Sequence, residues 1–343
     1  MIDVEWIEGR AMGIARAFGI KSIELVQASR NVIYRGRLGE RSVALRLPRG
    51  TYWSLGEIRS EADFGRFLKE EGRLKVSRPV ESLEGDHVVT IEGPKGELLH
   101  VTCWEWMEGR SINNEDATPE FFEKVGRLVA RFHDAAERYR PRRETELRPL
   151  WKDSPLLDVG TIDAMKHPDS LRMAELVNKV IERVDCIEKT DANFGVIHAD
   201  LHVRNMNLDT EGAFQVFDFD NCERGYFASD LANAILSNLF SPLTRGWRER
   251  GVFEEQQQIV IERMIRGYRS VRELGVGSDE FWDFFLLRHA VTYYHYLRDP
   301  RFDERPDGLK EEIGAFVRLM EEGKTELVDE AREWVLKMVN GKC

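Results

Sequence analysis

His198, Asp200 and Asn205 fall within eight residues, broken by the apolar Leu201 and Val203, and a further acid, Asp218, follows past a hairpin-like stretch. Val196-Ile197 is a short apolar entry, so the spacing that follows is that of a loop pinned at its apolar positions. Met206-Asn207-Leu208 alternates like a half-buried strand, Asp209-Thr210-Glu211-Gly212 supplies turn residues, and Phe214 to Phe217 returns as a second strand. The expected result is a hairpin with polar groups at both of its bases. That set suits phosphoryl transfer, which needs little covalent help from a protein. An acid must orient the attacking hydroxyl, and oxygen ligands must hold a metal against the phosphates. Asp200 suits the first task, and Asn205 with Asp218 the second. Magnesium commonly takes one or two protein oxygens and completes its shell with water and substrate phosphates, so one amide and one carboxylate suffice.

The segment also resembles a known pattern. His198-Ala199-Asp200-Leu201-His202-Val203-Arg204-Asn205 resembles the kinase catalytic loop H-R-D-L-x-x-x-N with Ala199 in place of Arg, and Asp218-Phe219-Asp220 resembles D-F-G without its glycine. With Ser229-Asp230-Leu231-Ala232 added, the pattern is closer to the aminoglycoside phosphotransferase and choline kinase family than to eukaryotic protein kinases. The resemblance implies an α+β, protein kinase-like, two-lobed fold: a small N-terminal antiparallel sheet with a helix, and a larger, mainly helical C-terminal lobe. It implies ATP and Mg2+ as cofactors and a small-molecule hydroxyl as acceptor. His198 is expected to hold the loop together rather than to act as a base. Asp230, ahead of an apolar run, reads as the N-cap of a buried helix that supports the loop. Asp220 is open to two readings, a second metal contact or a turn acid.

Composition is compatible with this and excludes other classes. A chain of 343 residues, 42% apolar, can bury a sizeable core, and its length suits one large two-lobed unit or two domains. A net charge of −11, with bases interleaved among more numerous acids, argues against a nucleic-acid partner. The cysteines Cys103, Cys186, Cys222 and Cys343 are scattered, without a CxxC pair or a secretory segment before them, which points to a reducing, cytoplasmic setting. No apolar run approaches membrane-spanning length. Nothing in the sequence sets the oligomeric state.

The elements that must position these groups are legible in the periodicity. Ser22 to Leu38, Ser42 to Leu47, His87 to Glu92 and Leu98 to Trp106 alternate like strands between glycines. Beyond Gly109 the spacing becomes helical, as in Phe121, Val125, Leu128, Val129 and Phe132, or Ile261, Met264, Ile265, Tyr268 and Val271, or Leu327, Ala331, Trp334, Val335 and Met338. The division is therefore expected at the Glu105 to Gly109 segment, with residues 1–105 as the nucleotide-covering lobe and 106–343 carrying the catalytic loop, metal and acceptor site.

For the first lobe the resemblance implies specific roles. Val43-Ala44-Leu45-Arg46 resembles the V-A-I-K strand, which puts Arg46 where a lysine meets the α and β phosphates. Arginine is longer and planar, so its geometry must differ, and an exposed strand charge is the alternative reading. A helix acid should hold it; Glu61 is the candidate, with Glu57 and Asp63 as competitors. The phosphate-covering turn, Ala28 to Tyr34, contains none of the glycines that let backbone N–H groups approach phosphate. Ser29 and Asn31 are its candidate donors, or simply its turn-fixing residues. The adenine-binding backbone falls near Glu105 and Met107.

The acceptor is less legible. Phe281 to His295 combines aromatics with Asp283, Arg288, His289 and His295, a pattern that suits a pocket lining or a packed core. The acidic balance fits cationic acceptors such as aminoglycosides or amino alcohols. A bacterial Ser/Thr protein kinase of the same fold is the alternative, and a nucleotide-binding pseudokinase is a third reading.

Overall fold

The computed structural model describes residues 1–143, 147–154, 170–244, 247, 250–298, 314–315, 317–325, 327 and 329–340. The chain forms two compact units: Met1–Ser111 with Tyr139–Arg148 and Asn205–Asp220, and Ile112–Arg138 with Pro149–Arg204 and Asn221–Cys343.

The first unit is built on an antiparallel sheet ordered β1-β2-β3-β5-β4. Its strands are β1 Ile23–Ala28, β2 Asn31–Leu38, β3 Arg41–Pro48, β4 Val88–Glu92 and β5 Leu98–Glu105. In β2 and β3 the inward positions are apolar: Val32, Tyr34, Val43, Leu45 and Leu47 are buried together with Leu99, Val101 and Cys103 of β5. Helix α1, Val4–Ala17, covers this core with Ile7, Ala11, Ile14 and Ala15, and its N-cap Asp3 accepts the Glu5 N–H at 2.7 Å. Helix α2, Leu55–Glu70, starts at a capping box in which Ser54 and Glu57 each satisfy the other's backbone N–H. This occupies Glu57 and leaves Glu61, one turn on, for β3.

Two further strands join this unit from far along the chain. The hairpin of β8, Met206–Leu208, and β9, Phe214–Val216, pairs through Arg110–Ser111 (β6) with the end of the N-terminal stretch. Val216 exchanges both backbone bonds with the 75–77 segment, donating to Lys75 at 2.9 Å and accepting from Ser77 at 2.9 Å. Lys75 also meets Asp209 of the hairpin turn at 2.6 Å. Gly109 sits at φ 156 against the Leu208 carbonyl, where a Cβ would come within 2.6 Å.

The second unit is mainly helical. Its helices include α3 Pro119–Arg138, α4 Ser170–Asp185, α5 Phe227–Leu239, α6 Phe253–Arg269, α7 Ser278–Arg298 and α8 Ala331–Val339. A two-stranded ribbon pairs β7, Phe194–Ile197, with β10, Glu223–Tyr226. Helices α3 and α6 cross at reciprocal glycines: a Cβ on Gly126 would lie 2.0 Å from the Met264 carbonyl, and one on Gly267 2.0 Å from that of Glu123. Val125, Val129 and Phe132 on one helix and Ile261, Met264 and Ile265 on the other are all buried in the core where these helices pack.

Candidate active site

In the first unit the pairing left open by the sequence is resolved. The Arg46 guanidinium donates two bonds to the Glu61 carboxylate, Nη1 to Oε1 at 2.8 Å and Nη2 to Oε2 at 2.5 Å, and both side chains are buried. Asp63 is instead taken by Tyr139, whose hydroxyl donates at 2.9 Å, and by Arg66. Arg46 Nη1 also lies 3.9 Å from Asp218 Oδ1 and 3.8 Å from Asp220 Oδ1. Burial works against the Arg46 charge, but Glu61, Asp220 and Asp218 outweigh it and hold the guanidinium protonated far above its usual range.

Asp220 is a cage centre rather than a turn acid. Its carboxylate accepts from Arg30, from Asn31 Nδ2 at 2.9 Å and from the Trp53 indole N–H at 3.1 Å. Arg148, stacked on Trp53 at 4.1 Å from the ring centroid, donates to the Asp220 backbone carbonyl at 2.7 Å and to that of Glu57 at 3.3 Å. Burial pushes the Asp220 carboxyl up, but the surrounding arginines and Asn31 dominate and hold it well below the usual carboxylate range. Asn31 thus serves Asp220. Ser29 is exposed; its hydroxyl accepts from Gln27 at 2.9 Å and its carbonyl from Arg49 at 3.0 Å.

The hairpin brings Asn205 and Asp218 to its open end. Met206 pairs with Val216, and the Phe217 N–H donates to the Asn205 carbonyl at 3.1 Å, so the two residues flank the same base. Asn205 is buried, whereas Asp218 is exposed and holds a left-handed φ of 66°, a costly backbone for a residue with a Cβ. One amide oxygen and one exposed carboxylate are hard donors of the kind magnesium takes. Among the described residues no three His, Cys, Asp or Glu side chains form a ligand group. A cation here would complete its shell with water and substrate oxygens.

The main chain proposed for adenine is engaged at several points. The Glu105 N–H donates to Arg78 at 2.7 Å, and its carbonyl accepts the Ser77 hydroxyl at 2.7 Å. The Met107 carbonyl accepts Asn207 Nδ2 at 3.0 Å. Each carbonyl has a second lone pair to offer.

In the second unit the loop carrying Asp200 hangs from one face of α5. Asp230 accepts the backbone N–H groups of His198 and Ala199, each at 2.9 Å, and His133 at 3.2 Å. Asn233 donates to the Ala199 carbonyl at 2.7 Å, and Asn238 accepts the Val203 N–H at 3.2 Å. These bonds clamp Ala199, whose φ of 60° turns the chain sharply just before Asp200. Asp230 is not the N-cap expected from the sequence: α5 starts at Phe227 after Tyr226, and Asp230 lies inside its first turn. The apolar residues preceding Asp230 already continue the helix, so its carboxylate is free to reach the loop.

Asn221 and His202 both hold Asp200. Asn221 Nδ2 donates to Oδ2 at 3.1 Å, and His202 Nε2 meets Oδ1 at 3.3 Å. His202 Nδ1 accepts the Arg204 N–H at 3.1 Å, which places the ring proton on Nε2, facing Asp200. Burial pushes Asp200 up, but the His202 hydrogen bond and the positive field around it, Arg288 included, outweigh it, leaving the carboxyl below its usual range. It is therefore ionised at neutral pH. On α7, Asp283 is taken by Arg183 in a bidentate pair at 2.6 Å, and His289 is buried. The side chain of His295 and all of Cys343 lie outside the described residues.

The sequence did not single out Arg30, Trp53, Arg148, Asn221, Asn233 or Asn238. The polar run Asp230, Asn233 and Asn238, on the mostly buried helix α5, was the signal available for two of them, Asn233 and Asn238.

A sheet with a strand arginine locked to a helix acid, and a helix-anchored H-x-D loop followed by a hairpin and an acid, define a protein kinase-like phosphotransferase. The chain belongs to the phosphotransferase enzyme family, which it matches over residues 23–274. It is 23% identical over 313 residues to amicoumacin kinase of Bacillus subtilis (strain 168), covering 89% of each chain. The structure of an amicoumacin kinase in complex with AMP-PNP, Ca2+ and Ami shares its fold at TM-score 0.81 and 20% identity, over 96% of this chain and 99% of that one. A microcompartment-associated aminopropanol kinase does so at TM-score 0.69 and 21% identity, over 96% of this chain and 99% of that one. Among the described residues no helix is long and apolar enough to cross a membrane.

Proposed function

We propose that this enzyme transfers the γ-phosphoryl group of ATP to a hydroxyl of a small molecule, with magnesium as its metal. The observation that carries the reading is the buried Arg46–Glu61 pair with Asp218 beside it, in a unit that also contains the Asn205 to Asp218 hairpin. A guanidinium fixed by Glu61 keeps its charge and spends no entropy finding its position when phosphates arrive. Asn205 and Asp218 would hold the magnesium, whose positive charge offsets that developing on the phosphate oxygens.

Asp200 orients the acceptor hydroxyl. Its carboxylate is ionised and immobilised by Asn221 and His202, so it fixes the direction of the oxygen lone pair. The new O–P bond forms as the bond to the ADP oxygen breaks, and the hydroxyl proton leaves late, toward Asp200. The names of the similar proteins, amicoumacin kinase and aminopropanol kinase, support a small-molecule acceptor. Ser29 with its turn, and the Glu105 and Met107 main chain, are assigned to the nucleotide. Cys103 and Cys186 carry unlinked thiols, which suits a reducing compartment, and we place the enzyme in the cytoplasm.

The test is thermal stabilisation by ATP with magnesium, followed by ATP consumption across amino alcohols, sugars, aminoglycosides and generic protein. Acceptor-dependent consumption with a small alcohol supports the assignment. Autophosphorylation or transfer to generic protein alone would replace it with a protein kinase, and nucleotide binding without any consumption with a pseudokinase.

A further inference from the structure

The β1–β2 turn, Ala28 to Asn31, has no glycine to bring backbone N–H groups against a phosphate, and its polar groups are largely spent within the first unit. The Ser29 N–H donates to the Asn31 carbonyl at 2.9 Å, the Ser29 hydroxyl accepts from Gln27 at 2.9 Å, and Asn31 Nδ2 donates to Asp220 at 2.9 Å. Arg49 fixes the backbone, its N–H donating to the Arg30 carbonyl at 3.1 Å and its Nη1 to the Ser29 carbonyl at 3.0 Å. The turn's one cation is Arg30. Its guanidinium carbon lies 5.6 Å from the centroid of the Tyr52 ring, and its Nη2 donates to Asp220 Oδ2. Even so, 34% of the side chain stays exposed, so solvent reaches a cation that is already aimed.

Two guanidinium groups therefore share one carboxylate: Arg30 Nη2 bonds Asp220 Oδ2, and Arg46 Nη1 lies 3.8 Å from Oδ1. Arg46 Nη1 is also 3.9 Å from Asp218, the acid assigned to the metal. Both terminal nitrogens of Arg46 are given to Glu61, so Arg46 brings charge to the phosphates more than it brings directed donors. The charges of the group balance, with Arg30, Arg46 and Arg148 set against Glu61, Asp218 and Asp220. A triphosphate arriving beside Asp218 upsets that balance by more than one magnesium offsets, and a second set of donors is needed. A guanidinium carries five N–H donors in a planar fork, which lets Arg30 hold Asp220 and a phosphate oxygen together.

We propose that Arg30 binds the terminal phosphates of the nucleotide donor, aimed by Asp220, and so supplies with a side chain the contact that a glycine-free turn cannot make with its backbone. Asp220 then serves both arginines of the site, fixing Arg46 from one oxygen and Arg30 from the other. This rests on the nucleotide site assigned above.

The test is titration calorimetry with AMP-PNP and with AMP, each with magnesium, on wild type, Arg30→Gln and Arg30→Lys. Arg30→Gln should weaken AMP-PNP binding roughly 10- to 100-fold, as expected for loss of a charge-assisted contact, while leaving AMP binding close to wild type. Arg30→Lys keeps a charge beside Asp220 without the planar fork and should recover part of the loss. If Arg30 only neutralised Asp220, its removal would weaken both nucleotides by the same factor; that result overturns the proposal, as does unchanged AMP-PNP binding. Where Arg30→Gln does not fold, Arg30→Lys decides by the same comparison: AMP-PNP weakened with AMP unchanged supports the contact, and an equal change or none refutes it. If the wild type binds neither nucleotide, the phosphotransfer reading itself has failed. Thermal shift with tripolyphosphate and magnesium then decides the anion contact separately: stabilisation lost in the Arg30 variant supports it, and stabilisation equal in both proteins, or absent from both, refutes it.

Discussion

Asp220→Asn removes one charge from a buried acid of the first unit that accepts three side-chain hydrogen bonds, while keeping its shape. In the wild type that carboxylate accepts from Arg30, Asn31 and Trp53 and lies 3.8 Å from Arg46, with all of it buried. The amide retains some of the hydrogen bonds but presents donors to Arg30 and leaves Arg46 with Glu61 as its buried counter-ion. Unbalancing a buried ion pair costs about 3–5 kcal/mol, and because Glu61 still neutralises Arg46 the lower end applies, about 3 kcal/mol. That corresponds to a Tm lowered by roughly 6–12 °C at pH 7. The pH dependence follows from the sign of the Asp220 shift. Its folded pKa is depressed, so its stabilisation is fully present above the unfolded value of about 3.9 and is lost as pH falls toward the folded value. The gap between wild type and variant should therefore be constant from pH 7 to about pH 5 and narrow by roughly 1 kcal/mol by pH 3. Denaturant midpoints measured for both proteins across that range provide the assay. A variant as stable as wild type at pH 7, or a gap that widens on acidification, refutes the idea that Asp220 anchors the β1–β2 turn and Arg46.

Other perturbations separate the remaining contacts. Glu61→Gln leaves the buried Arg46 charge short of its main partner and should cost about 3–5 kcal/mol in stability and raise the KM for ATP, read by melting and steady-state kinetics. Asn233→Ala removes the donor to the Ala199 carbonyl and should destabilise by about 1–3 kcal/mol and lower kcat with little change in the KM for ATP. His202→Ala removes a group that lowers the Asp200 pKa, so the acid limb of the kcat/KM profile should move to higher pH; a limb that stays put would show that Asp200 does not set it. Gly126→Ala drives a methyl into the Met264 carbonyl, and melting should show a loss of about 1–3 kcal/mol or more.

Much of the chemistry was legible because it is local. The H-x-D loop, the hairpin after it and the acid beyond all fall in one short stretch, where turn residues and alternation mark each piece. The sheet strands could be read from alternation, and β3 with Arg46 led to Glu61 through helical spacing. Helix α1 was not anticipated, since its buried stripe of Ile7, Ala11, Ile14 and Ala15 is half alanine and gives a weak apolar signal. Asp230 was tied to the loop correctly but given the wrong place in its helix, because an acid before an apolar run looks like a cap even when the helix has already begun. The Asp220 cage was out of reach: Arg30 and Asn31 meet it across some 190 positions of chain, and nothing local in a glycine-free turn announces such a partner.

The central claim is that Asp200 orients the acceptor while Asn205 and Asp218 hold the metal. Side-by-side assay of Asp200→Asn and Asp218→Asn, scoring magnesium-dependent ATP binding and turnover on the same folded samples, tests it most directly. The account predicts that Asp200→Asn binds ATP with magnesium like wild type yet loses turnover by at least a hundredfold, whereas Asp218→Asn loses both turnover and the magnesium dependence of ATP binding. Wild-type turnover in either variant, or intact magnesium-dependent binding in Asp218→Asn, would contradict it.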